Sequence, residues 1–138
     1  MEQPDKGTVR DLVCYRLETA KNDLRTTCML MRENEYRTAN NRAYYAIFHA
    51  ISAIHAIDGK VYKRHKDSLA NFNKDYIRTE IFPKAFGRKI IDAEEIRHAS
   101  DYDDFYIATK AEAEEQITTA KELIGLIEGY CLSRMEVD

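Results

Sequence analysis

Asn41-Arg42-Ala43-Tyr44-Tyr45-Ala46-Ile47-Phe48-His49 is the stretch on which the reading of this chain turns. It lies inside a segment, about Tyr36 to Asp58, that is apolar almost all round in its middle. Ala43, Ala46, Ala50, Ala53 and Ala56 give it a small-residue surface. Such a helix belongs at the centre of a bundle, where alanine lets neighbouring helices approach closely. The polar exceptions are therefore informative. Arg42 and His49 are almost two α-turns apart, so they fall within about 20° of one another around the axis and roughly 10 Å apart along it. Tyr45 sits between them on the same side. A permanent cation, a titratable imidazole and a phenol on one stripe suit a site that binds or cleaves phosphodiesters, and suit a buried polar network equally well.

Helices are predicted on both sides of this segment. From Thr8, a plausible N-cap with Asp11 three residues on, the residues Val9, Leu12, Val13, Leu17, Ala20, Leu24, Cys28 and Leu30 or Met31 recur at threes and fours. That spacing describes a long amphipathic helix, with the polar run Arg32 to Glu35 as the turn into the next. Gly59 ends the central helix at a C′-like position. A basic connector, Lys60 to His65, leads to a third helix through Ser68, Leu69, Phe72, Tyr76 and Ile77. Phe82-Pro83 breaks it, because proline disfavours helix in the residue before it. Lys84 to Ala99 resumes as helix with Phe86, Ile90, Ile91 and Ile96 inward, and Gly87 weakens its start. Asp101 to Tyr106 lacks helical spacing and reads as an ordered loop. Thr109 and Glu112 form a capping box for a last helix, whose stripe Ala113, Ile117, Ala120, Leu123, Ile124, Ile127 and Cys131 runs to about Leu132. Residues 133–138 are expected to fray. Pro4, Gly7, Gly125 and Gly129 are the remaining punctuation or late-helix positions. The fold expected is an all-α, antiparallel bundle of four to five helices, a single domain over residues 1–138 with its core at about 8–132.

The chain of 138 residues suffices for one ordinary core, and its net charge of −3 gives no global attraction to nucleic acid, so any polyanion site must be local. No run of about 18 apolar residues and no secretory signal pattern is present, which points to a cytoplasmic protein with no membrane contact. Cys14, Cys28 and Cys131 are odd in number and form no Cys-x-x-Cys pair, so helix-face packing is expected rather than zinc or disulfides. Asp101, Asp103 and Asp104 read as caps and turn formers, with no metal and no cofactor expected.

Asn41 to Ala50, then His65-Lys66, then Arg97-His98-Ala99-Ser100-Asp101-Tyr102, resemble the HEPN domain family, in particular its small prokaryotic members. The likeness extends from about Leu12 to Cys131, and the two motifs in this order and separation are fairly specific. It implies a helical bundle that is usually a homodimer, with the polar motifs lining a cleft near the dimer axis. It also implies a toxin-like protein paired with a minimal nucleotidyltransferase as antitoxin, the HEPN member being a metal-independent endoribonuclease. Other members bind nucleotides or serve as non-catalytic adaptor or dimerisation modules. The family's ribonuclease signature is an Arg, a polar residue and, four to six positions after the Arg, a His ahead of the last helix. Here Arg97 and the polar His98 are followed by Tyr102 at the place of the histidine. Arg42 and His49 meet the bare spacing, but on the second helix and with Ala43 after the arginine.

Metal-free RNA cleavage needs a base for the 2′-hydroxyl, an acid for the leaving 5′-oxygen and a cation for the charged transition state. The candidates are His49 or His98 as base or acid, Arg42 and Arg97 on the phosphate, and Tyr45, Asp101 and Tyr102 as orienting groups. The basic cluster Lys60, Lys63, Arg64, His65 and Lys66 reads as a solvated loop or, functionally, as a phosphate- or RNA-contacting rim in which Lys63, Arg64 and Lys66 are the contacts and Tyr62 is available to stack on a base. The structural alternative pairs Arg42 with Asp101 and His49 with Tyr102 or Asp101, with His55 at the bundle's edge. By family analogy alone, Tyr102 or Tyr106 would be the tyrosine that a nucleotidyltransferase modifies with AMP.

Overall fold

The computed structural model of the protein describes residues 6–136, and among them it is all helical with no strand. Five helices follow in order: α1 (Lys6–Arg32), α2 (Tyr36–Ile57), α3 (His65–Phe72), α4 (Ala85–Tyr102) and α5 (Lys110–Glu136). A π-helical turn, Asn73–Ile77, continues α3. Its Arg78 N–H reaches back five residues to the Asn73 carbonyl at 2.9 Å. The third helix is thus shorter than its periodicity suggests, with the wider turn carrying Tyr76 and Ile77 into the core.

The turns between the long helices have clear chemical causes. Asn34, at φ 60°, closes α1 in a Schellman arrangement: its N–H bonds the Met31 carbonyl at 3.1 Å, and the Glu35 N–H bonds the Leu30 carbonyl at 2.9 Å. Gly59, at φ 73°, closes α2 in the same way, with Gly59 N–H on Ala56 O at 3.1 Å and Lys60 N–H on His55 O at 2.8 Å. Both residues are types that accept a left-handed backbone at low cost. The short connection after Arg32 makes α1 and α2 antiparallel neighbours. Arg10 donates to the Met135 carbonyl and Lys21 pairs with Glu128, so α5 also runs antiparallel to α1. Arg37 and Asn40 at the start of α2 meet Ser100 at the end of α4, which sets those two helices antiparallel.

The core surrounds α2. Ala39, Ala43, Ala46, Ile47, Ala50, Ile51, Ala53 and Ile54 are buried, against Val13, Leu17 and Ala20 of α1, Leu123, Ile124 and Ile127 of α5, and Phe86 and Ile90 of α4. The alanines explain how one helix is packed by three others. Several expectations are corrected. Helix α1 already begins at Lys6, so Thr8 lies inside it and is no N-cap. Asp101 and Tyr102 complete α4, and the loop begins at Asp103. Ile91 is exposed, on the outer side of α4. Residues 133–136 remain helical in α5, with Met135 buried, whereas Pro4 and residues 137–138 lie outside the described residues. Thr109 does cap α5, accepting from the Glu112 N–H at 3.2 Å. Gly87 matters for packing: a Cβ there would meet Asn73 Oδ1 at 3.1 Å, so its absence lets α4 lie close on the π turn.

Candidate functional site

Arg42, Tyr45 and His49 do share one stripe of α2, half-buried and facing outward beside the core. The Arg42 guanidinium lies over the Tyr45 ring at 4.8 Å, and the Tyr45 and His49 rings are 6.3 Å apart. The carboxylate that serves this stripe is Asp23 of α1. It is 4.0 Å from Arg42 Nη1 and 3.6 Å from His49 Nε2, and only 14% of its side chain is exposed. This corrects the pairing of Arg42 and His49 with Asp101 or Tyr102. Asp101 instead accepts from Asn41 Nδ2 at 2.9 and 3.1 Å and stands 3.7 Å from Arg97 Nη1. Asp23 carried a signal that periodicity could have caught, since it sits three residues after Ala20 and four before Thr27, beside the buried stripe of α1.

The second motif reaches the first through Tyr44. The Arg97 guanidinium lies over the Tyr44 ring at 4.8 Å, and its side chain is 16% exposed. Burial, reinforced by Glu94, pushes the Tyr44 hydroxyl up to about 12 against the lowering effect of Arg97. The Nε atoms of Arg42 and Arg97 and the Tyr44 hydroxyl are buried with no hydrogen-bond partner. His98 is not part of this group. It is exposed on the next face of α4, with its ring 4.9 Å from that of Tyr102, which is exposed as well. Arg97 and His98 share only an open hollow lined also by Glu94, Glu95, Ala99 and Asp103.

His65, at the start of α3 and part of the basic cluster in the sequence, stands against the aromatic residues of the stripe. Its ring centroid is 3.8 Å from that of Phe48, 5.9 Å from Tyr45 and 6.4 Å from Tyr44. Two imidazoles therefore flank the Tyr45–Phe48 pair, His49 from α2 and His65 from α3. Both have lowered pKa values. For His49 burial is the largest cause, with Arg42, His65 and Arg16 adding to it and Asp23 opposing. For His65 burial again leads, with Arg97 adding and Glu94 opposing. Above the ordinary imidazole value of about 6.5, both rings are neutral.

The remaining candidates divide. Lys63 and Lys66 are exposed beside His65, whereas Arg64 is held by Asp67 through two hydrogen bonds of 2.8 and 3.1 Å. Tyr62 is half-buried, with its ring steeply inclined to that of His55 at 4.7 Å. His55 is buried rather than at the bundle's edge, and its Nε2 donates to the Ser68 carbonyl at 2.9 Å. Tyr106 lies under Arg37, whose guanidinium also bonds the Ser100, Asp103 and Tyr106 carbonyls and so orders the loop after α4. Cys131 is buried, Cys28 half-buried and Cys14 exposed, so the packing role fails for Cys14. Among the described residues no three His, Cys, Asp or Glu side chains converge as a metal site. No helix there is long and apolar enough to cross a membrane.

An all-helical bundle carrying an Arg-x-x-Tyr-x-x-x-His stripe on its central helix, met by an Arg-His-x-x-Asp-Tyr motif from the helix before last, defines a class. The HEPN domain model matches residues 13–130, and the chain belongs to the HEPN domain family. It is 26% identical over 117 residues to a UPF0332 protein of Thermotoga maritima, covering 85% of this chain and 89% of that one. It is 28% identical over 94 residues to a protein of Methanocaldococcus jannaschii named as a putative toxin, covering 68% of this chain and 70% of that one.

Proposed function

We propose that this protein is a toxin-like HEPN ribonuclease, cleaving RNA by acid–base catalysis without a metal ion and acting as a homodimer with a nucleotidyltransferase antitoxin. The observation that carries the chemistry is the gathering of Arg42, Tyr45, His49, His65 and Arg97 around one half-exposed patch. The named toxin relative supports the biological class. His49 is the base. Neutral at pH 7, it takes the 2′-hydroxyl proton, and the Asp23 carboxylate at 3.6 Å stabilises the imidazolium that results. His65, more open to solvent, protonates the leaving 5′-oxygen, while Arg42 and Arg97 offset the charge that grows on the phosphorus oxygens. Lys63 and Lys66 extend the same positive edge along the RNA backbone.

A pH profile tests the assignment. An acid whose pKa lies below the usual imidazole value is protonated in a falling fraction as pH rises, so cleavage should decline about tenfold per unit above pH ~6.5. The base limb appears at still lower pH, where His49 becomes charged. A rate that climbs steadily through pH 8 in the presence of EDTA would exclude this pair.

Tyr102, where the ribonuclease signature has histidine, favours a second reading: a non-catalytic nucleotide-binding or adaptor module whose tyrosine accepts AMP from the partner. Its side chain is 68% exposed, whereas the Tyr106 hydroxyl is buried. Co-expression with a minimal nucleotidyltransferase followed by peptide mass spectrometry should find the adduct on Tyr102 and leave Tyr106 unmodified. Unmodified tyrosines throughout would dismiss the idea.

A further inference from the structure

The loop between α4 and α5 holds large apolar side chains in solvent. Phe105 is 92% exposed and Ile107 80% exposed, beside the exposed carboxylates of Asp103 and Asp104. The loop's backbone is nonetheless fixed. Arg37 gathers the Ser100, Asp103 and Tyr106 carbonyls, the Phe105 N–H donates to Asp103 Oδ1 at 3.0 Å, and Tyr106, between the two outward residues in sequence, has its hydroxyl buried. An aromatic side chain presented on an ordered loop has little freedom left to lose, which suits it to anchor an interface. Asp104 pairs with no cation among the described residues.

A groove of matching character lies between α1 and α5. Its volume is about 420 Å³, and it is lined by Leu24, Met29 and Ile117 together with the exposed cations Arg25, Arg32 and Lys121. Met29 is more than half exposed. None of the three cations pairs with a carboxylate among the described residues, and Arg25 reaches only the Asn22 side-chain oxygen, at 3.3 Å. Helix α5 begins at Lys110, so Ile117 and Lys121 stand roughly 10 and 17 Å along its axis from the end of the loop. Loop and groove therefore lie on the same half of the bundle, and the exposure of Phe105 shows that it does not fill the groove of its own chain.

We propose that two copies of this chain pair about a two-fold axis, each seating Phe105 and Ile107 in the other's α1–α5 groove, with Asp103 and Asp104 facing Arg25, Arg32 and Lys121. Charge complementarity selects this occupant. An apolar projection ringed by acids and an apolar groove ringed by bases are carried by one chain, so each copy supplies both halves and a two-fold axis closes the contact. The inference rests on the homodimer reading above and names its surfaces, and it is independent of the catalytic assignments.

Sedimentation equilibrium of the full chain tests it. The parent should dimerise, and Phe105→Ser should raise the dimer dissociation constant at least about tenfold. Asp104→Lys and Lys121→Glu should each weaken dimerisation by a similar factor, because like charges then face one another across the contact. Mixing those two variants should restore association, since each mixed pair has a Lys loop on a Glu groove and an Asp loop on a Lys groove. Tyr15→Ser, at another exposed aromatic residue of α1, is the control and should leave the dimer unchanged. If Phe105→Ser fails to fold, the charge exchange decides. A parent dimer that the loop and groove variants leave intact, or that only Tyr15→Ser dissolves, would overturn this contact and keep the homodimer. No restoration on mixing would overturn it as well, and a parent that stays monomeric up to about 1 mM would remove both readings.

Discussion

Replacing His49 with alanine is expected to lower RNA cleavage by at least ~100-fold, the usual scale for losing a positioned acid–base group. The fold should survive, with a thermal midpoint within about 3 °C of the parent, because no strong contact is lost. His49 is half-buried, and its nearest charged partner is at 3.6 Å, longer than a good hydrogen bond. Arg42→Ala should show the same split, since its guanidinium rests on Tyr45 and stands 4.0 Å from Asp23. The assay is cleavage of a fluorogenic RNA in EDTA beside thermal unfolding, with growth arrest on induced expression as a cellular check. Variants that cut as well as the parent would end the ribonuclease reading. Variants that unfold would instead make the stripe a structural network.

The largest loss of stability is expected at the other face of the same helix. Ile51 is 0% exposed, in the core around α2. Ile51→Ala should cost about 3 kcal/mol, within the range for truncating a fully buried isoleucine, and lower the midpoint by roughly 10 °C. Ile91, 41% exposed on α4, is the control, and its alanine variant should fall within about 0.5 kcal/mol of the parent. Urea titration of the two variants side by side measures the difference. Equal costs would mean that α2 is not the axis of the core.

The helices themselves were largely legible in the chain. The central segment was expected from Tyr36 to Asp58 and spans Tyr36–Ile57, because alanine spacing and a glycine at C′ are local signals that tertiary contacts only reinforce. Local signals mislead where two preferences compete. Asp101 and Tyr102 look like loop residues, yet they stay helical, with Asn41 bonding Asp101 from α2 and Arg37 gathering the carbonyls beyond. The end of α5 was expected to fray, but Arg10 of α1 bonds the Met135 carbonyl and Met135 itself is buried. In both cases a long-range partner, invisible to periodicity, extended a helix.

The candidate site divides along the same line. The sequence alone determined that Arg42, Tyr45 and His49 share a stripe, because 3.6 residues per turn puts those spacings on one side of a helix. It also determined the family, through two motifs in fixed order. Only the tertiary structure decided which residues from elsewhere join them. Asp23, not Asp101, is the carboxylate beside Arg42 and His49, the His65 ring stands by Tyr45 whereas that of His98 stands by Tyr102, and Arg97 lies over Tyr44. The reason is geometric: a residue's turn position is set by its own helix, but its neighbours across a helix interface are set by how the alanines of α2 let α1 and α4 settle against it.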